Sequence, residues 1–393
     1  MTTDVVAQAP LQALRPGSRV LISGAGPGGA ALARALAAAG VAVELIEKRS
    51  GFSPADGAGI LLPGNATAML DRLGHLDAVR AAARDIPGVQ LASSDGRELG
   101  RVPCNELKYP ALGMRYACLR EILLGDMPVS FGLSIKSLQE GDTVEVGLSD
   151  GSMRHYDLVV GADGVHSGLR ALCFDPQPAD VMTQYSGYRF VVDSDLGLAT
   201  ATTYLGDGLT LLFVPLPGQQ TYCGAGPVHT DRLMAGATPA ETLAATYHEF
   251  PKAAEALQAC DDATVFIPSQ FWQVDTPVWH KGRVLLLGDA AHATAPTLSQ
   301  GAAMALEDVA VLLAELHNRE NLQDALANYQ QRREVRVRYV QAESRRRILA
   351  NDTTDARAGR LQRFSSAAFG AKAIHHIWSS LLADEVVTSK EFS

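Results

Sequence analysis

The sequence predicts an α/β fold in which a parallel sheet is assembled from separate stretches of chain and a second, mostly antiparallel sheet is inserted between them. Three observations lead there. The opening residues read strand, helix, strand: the apolar run Arg19 to Ser23, the alanine-rich stretch Ala30 to Ala39, and the apolar run Val41 to Ile46. Two further apolar runs, Leu158 to Gly161 and Arg283 to Leu287, each lead into a glycine with an aspartate close by; near-continuous apolar runs of this kind are typical of buried parallel strands. Between them, after about residue 176, Tyr185 to Val192, Thr200 to Leu205, Thr210 to Val214 and Thr221 to Gly226 read as strands separated by glycine and proline.

The remaining elements follow the same logic. Asn65 to Leu73 and Leu76 to Ala83 have helical patterning, broken at Gly74, and Leu119 to Asp126 reads as a short helix. Ser130 to Asp157 alternates apolar and polar residues around Glu140-Gly141 and Asp150-Gly151, a hairpin signature. Pro239 to Leu257, Ala302 to Asn318 and the arginine-rich stretch Leu322 to Ala350 are helical, the last read as a packed, solvated or interface element. Order is expected to start at Ser18. The resulting division is a nucleotide-binding lobe over 18–175, an inserted substrate sheet over 176–275, a return to the first lobe with the long helix over 276–350, and a C-terminal helical extension over 351–393.

Bulk properties exclude several classes. Of 393 residues 47% are apolar and 20% charged, enough to build a large core and too apolar for general disorder. The net charge of -9 argues against nucleic acid, whose binding needs a basic footprint. The cysteines, Cys104, Cys118, Cys173, Cys223 and Cys260, are odd in number and form no CxxC pair, so neither a disulfide framework nor a metal site is expected and a reducing, cytoplasmic setting fits. The first eighteen residues lack the apolar run of a signal peptide, and no stretch of about 18 apolar residues suggests stable membrane insertion.

Chemistry concentrates at three places. Gly24-Ala25-Gly26-Pro27-Gly28-Gly29 is a GxGxxG between the first strand and the first helix. Gly24 permits the tight turn, Gly26 lets the backbone approach a pyrophosphate, and Gly29 lets helix and strand pack closely. The helix N-terminus then favours phosphate charge. Glu47, roughly 20 residues on, can accept ribose hydroxyls and disfavours a 2′-phosphate. Asp163-Gly164 and Gly288-Asp289 lie just beyond strand ends, where open α/β sheets bind ligands; taken singly, each aspartate could equally cap a helix or close a turn.

These residues together make the chain resemble the class A flavin monooxygenases, the group that includes para-hydroxybenzoate hydroxylase, salicylate hydroxylase and the tetracycline-inactivating monooxygenases. The match runs from about residue 19 to 350 and takes in the Gly-rich loop with Glu47, the segment Gly57 to Ala66, Arg120, the DG and GD pairs, and the loop Ala295 to Ala302. The resemblance implies a Rossmann-like FAD-binding fold built from discontinuous segments. It also implies FAD as cofactor, NADPH or NADH as co-substrate, and dioxygen and a small molecule as reaction partners. By the same resemblance Asp289 binds the ribityl chain, and Arg120 and Asp163 hold the diphosphate and ribityl region. Lys48 stands where many relatives have arginine, and Pro296 and the amides near Gly301 and Ala302 face the flavin ring. Ser299 departs from the family's common Gly-Gln-Gly.

The function so implied is hydroxylation of a small aromatic or polycyclic compound through a flavin hydroperoxide, by a monomer or homodimer. Candidate substrate contacts on the inserted sheet are Tyr188, Arg189, Tyr204 and Tyr222, with Phe213 as an apolar wall; each is also readable as an ordinary sheet residue. His292 is read as structural, and His375-His376 as no metal site. A flavin-dependent reductase or dehydrogenase of an apolar substrate, or a non-catalytic flavoprotein, remain alternatives.

Overall fold

The computed structural model describes residues 11–53, 56, 58–104, 108–174, 180–351 and 370–388. Its centre is a six-stranded sheet in the order His280–Lys281, Val284–Leu286, Leu158–Gly161, Arg19–Ser23, Ala42–Glu47, Val129–Phe131. All neighbours are parallel except the first pair. Strands far apart in the chain thus lie side by side, with Leu21 beside Val159 and Val160 beside Leu285. Val20, Leu21, Ile22, Val159 and Leu285 are buried, as strands covered on both faces require. Packed structure begins upstream of Ser18: Leu14 is buried and the amide of Ala13 bonds to the carbonyl of Leu316.

The hairpin signature at 130–157 divides. Val129–Phe131 joins the parallel sheet, while Ile135–Glu140, Val144–Leu148 and Met153–Tyr156 form the antiparallel ribbon. A three-stranded sheet of Gly59–Leu62, Ala111–Arg115 and Arg84–Ile86 had no sequence counterpart, since its strands are short and lack clean alternation.

The inserted sheet has seven strands, in the order Ile267–Gln273, Asp180–Val192, Gln220–His229, Leu209–Leu216, Ala201–Gly206, Gly88–Ser93, Glu98–Pro103. It therefore extends beyond the range 176–275. Gly88–Ser93 pairs in parallel with Ala201–Gly206 and prolongs the sheet, with Glu98–Pro103 at the far edge. One face of this sheet looks into the molecule's large cavity. The other buries Phe190, Tyr204, Phe213 and Cys223 against Leu243, Tyr247 and Phe250. The helix expected over 239–257 is two helices, Pro239–Thr246 and Pro251–Gln258, because Pro251 cannot continue the first and starts the second.

The long helix Leu322–Asn351 is a packed element: Arg333 and Arg336 lie in the interior, whereas Val335 on the opposite side is exposed. The C-terminal helix Ala371–Ala383 packs against Gly88–Ser93, Glu98–Pro103 and the helix Gly64–Arg72. Arg336 donates to its Leu381 carbonyl at 2.8 Å, and Arg72 holds the short helix Glu385–Thr388 that follows, donating to the carbonyls of Val386 at 2.6 Å and Val387 at 2.5 Å.

Candidate active site

The glycine loop has the shape its spacing predicts. Gly24 sits at φ +106°, and a Cβ there would lie 2.3 Å from the carbonyl oxygen of Ala162. A Cβ on Gly29 would lie 1.9 Å from the carbonyl oxygen of Gly24, so helix Pro27–Ala38 can approach its strand only without one. Gly26 differs: the nearest atom to its Cβ position is the Tyr116 hydroxyl at 3.9 Å, and the residue faces open cavity. Two glycines therefore make the turn and the third leaves backbone accessible to a ligand.

Glu47 ends the second strand and is buried. Its Oε2 accepts from the amide of Ala25 at 3.2 Å and its Oε1 from the amide and Nε of Arg49, both at 3.1 Å. Burial pushes its pKa up, but the bonds from Arg49 and Ala25 outweigh this and hold the carboxyl below its usual range. Lys48 and Arg49 are both exposed in the bend that follows the strand, and the cation that bonds Glu47 is Arg49.

Arg49 also pairs with Asp56 at 2.9 Å, and Arg120 pairs with the same carboxylate at 3.0 Å. Arg120 is fully buried, stacks over Phe52 at 3.7 Å, and has no partner for its Nε among the described residues. Neither Arg49 nor Asp56 was singled out from sequence. Arg49 lies in the bend after the strand and Asp56 in a loop, and neither position carries a periodic signal.

The two aspartates play different parts. Asp163 Oδ2 accepts from the amides of Gly168 at 2.9 Å and Leu169 at 3.2 Å, at the start of helix Gly168–Cys173. Its Oδ1 is buried and unpartnered. The helix-capping reading thus holds for one oxygen only. Asp289, at the head of the short helix Asp289–His292, is ringed by protein but accessible, its exposed surface bordering the cavity. Burial, and to a lesser degree Asp308, push its pKa up against the pull of His292. Among the described residues its carboxyl has no hydrogen-bond partner.

A buried ionic network fixes the turn that presents Asp289. Asp308 Oδ2 accepts from the amide of Gly288 at 2.9 Å and contacts His292 Nε2 at 2.6 Å. Its Oδ1 accepts from Arg333 Nε at 2.7 Å. Glu307 accepts from Arg333 at 2.6 Å, from Arg336 at 2.5 and 2.7 Å, and from Asn65 at 2.8 Å. Asn65 in turn exchanges amide bonds with Gln300, at 2.8 and 3.2 Å. Burial raises both carboxyl pKa values, but the surrounding cations win and both are held low. His292 thus serves the turn, as expected, and the arginines of the long helix anchor the loop before Gly301.

That loop borders the cavity with Pro296, Ser299, Gly301 and Ala302. Ser299 adopts φ +57°, a left-handed conformation that glycine takes at less cost. The loop keeps its turn with a serine where the family's common motif has glycine. Helix Gly301–Asn318 follows with its first amides free of intrahelical partners.

The cavity measures about 800 Å³ and is continuous from Gly26 and Asp289 to the face of the inserted sheet. Of the sheet candidates, Tyr188, Arg189 and Tyr222 line it. Arg189 donates from Nε to Ser269 Oγ at 2.8 Å, and its terminal nitrogens have no hydrogen-bond partner among the described residues. Burial raises the pKa of the Tyr222 hydroxyl despite the opposing pull of Arg189. Tyr204 and Phe213 do not line the cavity; they point into the core on the other face. Their neighbours Thr203, Leu205 and Leu212 are the cavity residues, so the parity assigned to these two strands was wrong by one residue. Sequence also missed Tyr116, whose hydroxyl borders the cavity near Gly26 and whose pKa is pushed up to about 12 by burial and by Asp289. Thr294, a cavity residue whose buried Oγ1 has no partner, was missed as well.

A glycine turn open at Gly26, an unpaired carboxylate at Asp289 and orphaned polar atoms on Arg120 and Asp163 fit a dinucleotide that extends into the cavity. Fold and site define a flavin-dependent enzyme. The chain belongs to the FAD binding domain family, whose pattern it matches over residues 18–344. It is 33% identical over 343 residues to 2-heptyl-3-hydroxy-4(1H)-quinolone synthase of Pseudomonas aeruginosa, an alignment covering 83% of this chain and 87% of that one. It is 31% identical over 338 residues to the aurachin C monooxygenase/isomerase of Stigmatella aurantiaca, covering 81% and 85%. Among solved structures, HpxO of Klebsiella pneumoniae complexed with FAD and uric acid superposes with a TM-score of 0.82 at 23% identity, covering 93% of this chain and 97% of that one. The protein is an FAD-dependent monooxygenase.

Proposed function

We propose that this enzyme uses NADPH or NADH and dioxygen to hydroxylate a small aromatic or polycyclic compound, in the cytoplasm. The observation carrying the reading is the single cavity shared by the dinucleotide loop, Asp289 and the Arg189–Tyr222 face. The stretches 18–175 and 276–350 hold the cofactor, and the sheet of 176–275, prolonged by Gly88–Pro103, holds the substrate.

Bound FAD supplies hydride acceptance and oxygen activation; the chain supplies position, charge and dryness. Glu47 receives the ribose hydroxyls, with Arg49 setting its rotamer. The amides at Gly26 and the start of helix Pro27–Ala38 receive the diphosphate, with Arg120 and Asp163 beside it. Asp289 receives ribityl hydroxyls. The free amides at Gly301 and Ala302, with Pro296 on the loop, meet the ring edge and favour negative charge there.

On the sheet side, the terminal nitrogens of Arg189 attract a phenolate or carbonyl oxygen, which draws electron density into the aromatic ring. Tyr222, a phenol that burial holds still more firmly in its protonated form, donates a hydrogen bond to the same oxygen. Tyr188 adds an aromatic wall. Leu91, Leu205 and Leu212 keep the space apolar and limit access of water.

The test is oxygen uptake by FAD-loaded protein with NADPH or NADH across a panel of phenols and heteroaromatics under ¹⁸O-labelled dioxygen. A product carrying one labelled oxygen is expected. Substrate-dependent oxidation of NAD(P)H with no label in the product would identify a reductase instead.

A further inference from the structure

The cavity floor has a direction. Arg189 pairs with Gly224, Gly224 with Leu212, Leu212 with Thr203, and Thr203 with Leu91. These five residues form one row across five neighbouring strands, and all five line the cavity. Strands lie about 4.8 Å apart, so the row spans about 19 Å. It begins at the Arg189 guanidinium, crosses a glycine and a threonine, and ends at leucine.

The far end of the row lies under the C-terminal helix. Ala371–Ala383 packs on the strand that carries Leu91, and Ala373, Ile374 and Trp378 line the same cavity. Trp378 is 4% exposed, and its Nε1 is buried with no hydrogen-bond partner among the described residues. A buried indole N–H ordinarily finds an acceptor. No described residue supplies one here, and Trp378 borders the cavity.

We propose that this end of the cavity is a second subsite, taking an apolar arm of the substrate that carries one hydrogen-bond acceptor for Trp378. The substrate is then elongated and amphipathic: an oxygen-bearing aromatic head at Arg189 and Tyr222, and an aliphatic arm laid over Leu212 and Leu91 toward Ile374 and Trp378. This rests on the proposed aromatic hydroxylase reading. It gives the C-terminal helix, anchored from Arg336, the role of selecting substrates by length.

The probes are the para-alkylphenols from para-cresol to para-octylphenol and matching phenols whose alkyl arm carries a ketone carbonyl at successive positions along its length. Binding to FAD-loaded protein is read by perturbation of flavin absorbance, without turnover. Affinity is expected to rise about threefold to fourfold per added methylene until the arm reaches the helix. The ketone whose carbonyl reaches Trp378 is expected to bind several-fold tighter than its alkyl counterpart, and Trp378→Phe to remove that advantage. Leu91→Trp, which fills the floor, is expected to flatten the dependence on length; flavin content and melting temperature report whether either variant is folded.

Affinity that is the same for short and long phenols in the unaltered protein overturns the subsite, while binding of the short members leaves the hydroxylase reading standing. No flavin perturbation by any member, short or long, overturns the aromatic head and the subsite together.

Discussion

The two sides of the cavity differ in what stands behind them. Around Glu307 and Asp308 each buried carboxylate is met by arginine, asparagine, histidine or backbone amide. Facing the cavity, among the described residues, Arg189 has no partner for its terminal nitrogens and Trp378 none for its indole N–H. The first arrangement leaves one geometry available and holds the turn before Asp289 rigidly; the second stores unmet hydrogen-bonding capacity toward whatever enters. The groups proposed to meet the cofactor, Asp289, Arg120 Nε and Asp163 Oδ1, keep unmet capacity as Arg189 and Trp378 do; the difference is that a satisfied ionic network stands behind the Asp289 turn.

The largest expected effect comes from breaking the satisfied side. Arg333→Met removes the cation shared by two buried carboxylates, leaving Glu307 to Arg336 and Asn65 and Asp308 to His292 and the Gly288 amide, and a loss of about 3–5 kcal/mol in denaturant unfolding is expected. A loss below 1 kcal/mol, with FAD still bound, would mean the network is not what holds the turn. Gly24→Ala comes next: with φ at +106° and a Cβ 2.3 Å from the Ala162 oxygen, about 1–3 kcal/mol of backbone strain is expected, with loss of bound FAD.

The unsatisfied side should respond differently. Arg189→Gln is expected to lower kcat/KM about 10- to 100-fold while flavin content and melting temperature stay as they were. Parallel loss of flavin would erase the distinction between the two sides. The smallest effect concerns His75, buried between two helices of the cofactor lobe. Burial, aided by Arg34, lowers its pKa from the usual 6.5 to about 4. The folded protein therefore holds it neutral, and the stability it contributes is present above pH 6.5 and lost as pH falls toward 4. Urea unfolding of His75→Gln across that range should show a shallower acid decline than the unaltered chain.

The same contrast explains what could be read from sequence. Gly24, Gly29 and Glu47 announce themselves because backbone geometry admits no alternative to glycine and the strand end demands an acid. The parallel sheet follows from apolar runs that have no second interpretation. The substrate face depends instead on strand parity: Thr203 and Tyr204 are neighbours, both fit a strand, and only tertiary packing decides which one meets the cavity. Lys48 and Arg49 pose a similar ambiguity in the bend after the second strand. The strands Gly88–Ser93 and Glu98–Pro103 went unassigned because nothing local says which sheet they join, and Trp378 matters only because its helix folds back across the cavity.

Flavin binding by Asp289→Ala tests the central claim most directly. The account predicts that the unaltered chain purifies yellow with stoichiometric FAD, and that the variant, folded to the same melting profile without cofactor, binds FAD about 10- to 100-fold more weakly. Undiminished FAD affinity in the variant, or an unaltered chain that is colourless and takes up no FAD when offered it, would contradict it.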